Sequence, residues 1–132
     1  MDAHGGWLAS AVDLVRFAAS FDSPQACPIL GKNQLDTMFS RPDSTSNPYY
    51  GCGWQVRILN NTDQRNTWHT GGLSGTSTLL VRRYDRTNWA VLFNSRVGKS
   101  GRELAAAIDR NVHTAADQVK RWPNIDRFPD LL

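Results

Sequence analysis

The stretch from Trp68 to Arg83, WHTGGLSGTSTLLVRR, sets a histidine beside a threonine and two glycines, then runs into an apolar strand ending in two arginines. These residue types suit work on a carbonyl group. An imidazole donates to a carboxylate or carbonyl oxygen, and an unperturbed one titrates near neutrality. Glycine lets a carbonyl approach the backbone with no Cβ in the way. The competing reading is structural, with His69 a half-buried strand residue and Gly71-Gly72 a bulge or tight turn. His69, Thr70, Gly71 and Gly72 are the candidate site.

Other chemistry is poorly supplied. GLSGT, Gly72 to Thr76, approaches a nucleophile elbow but has Thr76 where the second glycine of G-x-S-x-G belongs. Ser74 also falls between two expected strands, whereas an elbow needs a strand, a turn and a helix. A local triad of Ser74 or Ser77, His69 and Asp63 or Asp85 is the weaker alternative. His4, His69 and His113 are far apart with no paired ligand spacing, so no metal is expected. GGLSGTS has no lysine before its Ser/Thr and is no phosphate loop, and no cofactor is expected. Cys27 and Cys52 match neither zinc nor thioredoxin spacing; they are read as buried free thiols, with pairing left open.

The elements that must position the site follow from periodicity. LASAVDLVRFAASF places Leu14, Phe17, Ala18 and Phe21 at helical spacing, and Ser10 with Asp13 has the form of a capping box. KNQLDTMFS fits a short helix with Leu35, Met38 and Phe39 on one face, stopped before Pro42. RPDSTSNP is a polar loop. From Tyr49 the period becomes two. YYGCGWQVRIL reads as one strand whose glycines mark a bulge or a close backbone contact. NNTDQRN is a turn, TWHTGG a short strand, LSG a connection and TSTLLVRRY a further strand, which DRTN joins to WAVLFNSR in a hairpin. Trp54, Trp68 and Trp89 are expected on the sheet face, with Trp68 turned away from His69. Ser100 and Glu103 form a second capping box that opens a long helix through Leu104, Ile108, Val112, Ala116 and Val119. WPNIDRFPDLL leaves that helix as an aromatic-anchored tail.

The expected fold is α+β: an antiparallel meander flanked by helices, with a long C-terminal helix packed on the sheet. Residues 1–132 form one domain, helical over 1–48, stranded over 49–98, with helix and tail over 99–132. TLLV and AVLF are nearly continuous apolar runs, so both faces of those strands should be covered. One long helix covers only one face; the first two helices, or chain not present, must cover the other.

Composition narrows the partners. Hydrophobic residues at 40% and charged residues at 20% are ordinary globular usage, which argues against wholesale disorder. A net charge of +3 is far from a nucleic-acid stripe. Arg82, Arg83 and Arg86 cluster at the hairpin and are read as a solvated edge, so no nucleic-acid partner is expected. No apolar run reaches the roughly eighteen residues of a membrane span, and no membrane partner is expected. MDAHGGWLAS has neither the basic nor the apolar region of a signal peptide, which leaves the compartment open.

Four segments in order, GGWLASAVDLVRFA, YYGCGW, WHTGGLSGTSTLLVRR and WAVLFNSR, give the chain a resemblance. From about Gly5 to Leu132 it resembles the C-terminal part of serine β-lactamase-like proteins, the group of class C β-lactamases, D-aminopeptidases, related esterases and penicillin-binding proteins. The resemblance implies the β-lactamase/transpeptidase-like fold and acyl transfer through a serine acyl-enzyme on an ester, amide or β-lactam carbonyl. In that family a Ser-x-x-Lys, a Tyr-x-Asn or Ser-x-Asn, and a Lys-Thr-Gly-like strand edge meet in one cleft. By resemblance His69-Thr70-Gly71 stands in the third position and Gly72 supplies an oxyanion N–H.

The other two motifs are missing. Three residues before Lys32, Lys99 and Lys120 stand Ile29, Arg96 and Asp117, so there is no Ser-x-x-Lys. Two residues after Tyr49, Tyr50 and Tyr84 stand Gly51, Cys52 and Arg86, so there is no Tyr-x-Asn, and no Ser-x-Asn occurs either. The expectation is a C-terminal fragment, inactive alone, whose natural partner is the N-terminal half of the same domain. Self-association through an uncovered sheet face goes with that reading. The alternative is a non-catalytic binding or interaction module derived from this fold.

Overall fold

The computed structural model describes residues 5–42, 46–60 and 62–128. His4, part of the 41–48 loop, Asn61 in the following turn and the last four residues of the tail lie outside the described residues. Among those described there are three helices and one five-stranded antiparallel sheet in meander order. They run α1 (Ala11–Ala19), α2 (Lys32–Met38), β1 (Tyr49–Tyr50), β2 (Gln55–Ile58), β3 (Arg65–Leu73), β4 (Thr76–Arg82), β5 (Asn88–Phe93) and α3 (Leu104–Gln118).

α1 starts where its capping box predicts. Ser10 Oγ accepts from Asp13 N–H at 3.2 Å, and Asp13 Oδ2 accepts from Ser10 N–H at 2.7 Å. The reciprocal pair satisfies donors that the first turn would otherwise leave open. Ala18 is fully buried, and Phe21 stacks edge-on with Phe17, Phe39 and Trp54. Leu35 from α2 and Tyr49, Trp54 and Val56 from the first strands complete this core, with Leu80 packed against it.

The second core lies on the other face of the sheet. Leu79 and Val81 meet Ala105 of α3, with Trp68, Trp89 and Ile108 around them. Leu79, Leu80 and Val81 therefore alternate between two covered faces, which is why TLLV needs no polar residue in its period. α1 contacts β4 and β5, and α3 contacts the same two strands. Helix, sheet and helix form three layers there.

Several expectations are corrected. YYGCGW is a tight hairpin and not one bulged strand: Tyr49 pairs with Val56 and Tyr50 with Gln55, and Gly51 N–H donates to Trp54 O at 2.8 Å. Gly53 turns the chain at φ +79°, while a Cβ on Gly51 would stand 2.5 Å from the Met38 carbonyl oxygen. β3 is longer than TWHTGG, running to Leu73, so only Ser74-Gly75 connects it to β4.

The box at Ser100 and Glu103 does not form. Glu103 is itself the N-cap and makes no side-chain cap bond. Its carboxylate pairs with Arg96 at 2.8 Å, and the Ala105 N–H donates instead to Ser77 Oγ of β4 at 3.0 Å. A tertiary contact has replaced the local cap.

The arginine cluster is not a solvated edge. Arg82 sits 2.8 Å from Asp22 at an ion-pair distance, without hydrogen-bond alignment, and donates to Phe21 O at 2.9 Å. Burial pushes its guanidinium below the ordinary value, with Asp22 acting in the opposite direction. Arg83 is only 8% exposed and pairs with Asp85 and Asp117. Arg86 alone of the three is exposed. Cys27 is half-buried, but Cys52 is exposed rather than buried, and both are free thiols. The tail is held by charge and backbone more than by aromatic burial: Arg16 pairs with Asp126 and donates to Phe128 O, while Trp122, Ile125 and Phe128 stay at least half exposed.

Candidate functional site

β3 carries the four candidate residues, and its two sides differ. β4 pairs with it from Thr67 to Leu73, but β2 pairs only from Arg65 to Trp68. Among the described residues, His69 to Leu73 have a strand neighbour on one side only. The opening arises because β2 is four residues long and turns back through Gly53 toward β1.

Which groups face that opening follows from register. Leu73 pairs with Thr76 across the two-residue turn Ser74-Gly75, with Gly75 at φ +80°. The pair closing such a turn exchanges hydrogen bonds, and bonded and non-bonded pairs alternate from there. Gly71 with Thr78 and His69 with Leu80 are thus bonded pairs. Thr70 and Gly72 turn their N–H and C=O groups away from β4, toward the open side. Among the described residues the Gly72 N–H has no hydrogen-bond acceptor, and the edge it stands on is exposed.

The surroundings are mixed in charge. A Cβ on Gly72 would meet Glu103 Oε1 at 3.7 Å and Arg96 Nε at 3.8 Å, so an ion pair flanks that glycine. Arg96 grips one carboxylate oxygen with two nitrogens, at 2.9 and 2.8 Å. A Cβ on Gly71 would collide with Thr78 Oγ1, which leaves glycine as the residue that fits without displacing Thr78. His69 is exposed, and its Nε2 lies 3.0 Å from the Tyr50 hydroxyl. Trp68 packs in the α3 core, turned from its neighbour as alternation requires. Thr70 reaches a cavity of about 220 Å³ between β3 and α3, which Trp68, Leu79, Ala105, Asp109 and His113 also line.

No family model matches this chain, and no curated protein or solved structure matches it. The chemistry rests on the residues alone.

His69, Thr70, Gly71 and Gly72 stand together on one strand edge. The weaker triad does not assemble. Ser74 is exposed in the β3–β4 turn, Ser77 is buried and bound to the Ala105 N–H, Asp85 is paired with Arg83, and Asp63 is exposed in the bend before β3. His69 meets none of them; its side-chain partner is Tyr50. Among the described residues no three His, Cys, Asp or Glu side chains are grouped to hold a metal ion.

Sequence reasoning missed Tyr50, because a search for Tyr-x-Asn discards a tyrosine followed by Gly51 and Cys52. The strand pairing that brings it to His69 spans 19 residues and passes through β2. Pleat alternation alone would put Tyr50 on the Trp68 face, so the contact forms only because the long phenol side chain reaches round the open edge.

Proposed function

We propose that this chain is the C-terminal part of a serine β-lactamase-like hydrolase of the β-lactamase/transpeptidase-like fold. The parent performs acyl transfer. A serine attacks an ester, amide or β-lactam carbonyl, an acyl-enzyme forms, and water releases it. The nucleophile and its lysine belong to the N-terminal half of the same domain. Gly72 N–H is one of two oxyanion donors, and His69 donates to the substrate. The observation that carries this reading is the edge of β3, where pairing with β2 stops at Trp68 and leaves the Gly72 N–H facing outward. A preorganised backbone donor aimed at developing charge is what an oxyanion requires.

The sequence upstream of Met1 tests it first, and a Ser-x-x-Lys opening a helix is expected there. The longer polypeptide should hydrolyse p-nitrophenyl acetate or a chromogenic β-lactam. Gly72→Pro deletes that donor where no ladder bond is lost, and turnover should fall about 10²- to 10³-fold. The 132-residue chain alone should not turn over. Hydrolysis by it that disappears in Ser74→Ala would overturn the assignment.

One observation favours the second reading, a non-catalytic binding module. β4 is covered on both faces by residues of this chain. Sedimentation separates the two: a monomer fits the module, and a dimer joined through exposed Leu73 and Leu92 fits an orphaned half.

A further inference from the structure

We infer that Tyr50 is a positioning residue for His69. Its hydroxyl donates to Nε2, holds the neutral imidazole as the Nδ1–H tautomer, and leaves a donor nitrogen for the open edge of β3. This rests on the reading of that edge as a substrate rim.

The geometry is specific. Tyr50 Oη and His69 Nε2 are 3.0 Å apart, and the rings meet edge to face with centroids at 6.1 Å. Neither side chain has another hydrogen-bond partner among the described residues, so each is the other's only fixed orientation. The backbone that carries Tyr50 is itself constrained. Gly51 N–H donates to Trp54 O at 2.8 Å, and Cys52 N–H donates to Met38 O at 2.9 Å. The phenol is delivered by a hairpin tied to the end of α2.

The direction of the bond follows from group chemistry. A neutral imidazole has one donor and one acceptor nitrogen, whereas a phenol offers either role. The phenol O–H is the stronger donor and the imidazole lone pair the stronger acceptor, which makes Tyr50 the donor. With Nε2 occupied as acceptor, Nδ1 must carry the proton. A rim histidine in that state gives a hydrogen bond to a carbonyl or carboxylate oxygen. It has no free lone pair with which to take a proton from an attacking group, so its role is electrophilic.

Nitrogen-resolved NMR of the His69 ring in the 132-residue chain, at mildly alkaline pH, reads the tautomer directly. Nδ1 should show the protonated shift and Nε2 the unprotonated one. Tyr50→Phe keeps the ring and removes the hydroxyl. The tautomer ratio should then move about fivefold toward Nε2–H, the worth of one ordinary hydrogen bond. A wild-type ring protonated at Nε2, or a ratio unmoved in Tyr50→Phe, overturns the assignment. The wild-type spectrum decides even if the variant fails to fold. Titration with acetate, followed at His69 Nδ1–H and Gly72 N–H, addresses the rim separately. If both resonances move, rim and positioning are supported together. If neither moves while the tautomer responds to Tyr50→Phe, the Tyr50 role stands and the rim reading fails.

Discussion

Gly51→Ala perturbs the hairpin that carries Tyr50, and its cost is set by what the new methyl meets. An ideal Cβ there stands 2.5 Å from the Met38 carbonyl oxygen and 3.6 Å from Val56 Cγ2. The oxygen is backbone and cannot rotate away, so hairpin and helix end must separate. That separation strains the core by about 2 kcal/mol. It also breaks the 2.9 Å bond from Cys52 N–H to Met38 O, worth about 1 kcal/mol more. For a chain of 132 residues, a loss of about 3 kcal/mol lowers Tm by about 10 °C. Gly53 is the control in the same turn. It has φ +79° and nothing within 4 Å of its Cβ direction, so Gly53→Ala meets only left-handed strain. That costs about 1 kcal/mol, and Gly53→Asn costs less because asparagine tolerates the conformation. Thermal unfolding followed by tryptophan fluorescence measures all three. Equal losses at Gly51 and Gly53, or a Gly51→Ala shift below about 3 °C, would refute a steric origin.

Ser77→Ala should destabilise by about 1–2 kcal/mol and fray the start of α3, because it removes the acceptor for the Ala105 N–H at a residue 1% exposed; Ser100→Ala should do neither. Chemical denaturation and amide exchange at Ala105 and Ala106 check this. Burial works against the charge on Arg83, yet Asp117 and Asp85 outweigh it and hold the guanidinium above its ordinary value. Arg83→Ala should cost only about 1–2 kcal/mol, since the orphaned carboxylates are 34% and 61% exposed and rehydrate; Asp117→Asn should cost about 0.5 kcal/mol, both by urea titration. Asp13 is held below its ordinary value of 3.8 by the Ser10 hydroxyl, then by the Ser10 N–H. A lowered folded value contributes stability above the unfolded value and loses it as pH falls through the folded one. Helix signal below about pH 4 should therefore fall less steeply in Asp13→Asn, which has no charge to lose.

What the sequence made legible is what is decided within a turn or two of chain. Ser10 and Asp13 sit three apart and cap the helix they announce, and DRTN closes the hairpin between β4 and β5. Where the reading failed, a distant group had taken the local partner. Glu103 has the spacing of a cap, but Arg96 holds its carboxylate and Ser77 does the capping from a strand 28 residues away. Arg82 and Arg83 look solvated until Asp22 and Asp117 arrive from α1's end and α3. The site divides the same way. His69 to Gly72 are contiguous and stand out by composition, whereas Tyr50 needs two strand pairings to reach them.

The half-paired strand has a bearing on solubility. A row of unsatisfied amides is a template on which stray chains can polymerise. Here the row is short, with only Thr70 and Gly72 turning their amides outward, and Gly71-Gly72 are residues that a growing fibril finds hard to hold extended. The diglycine that keeps this edge bare of side chains thus also discourages an intruding strand.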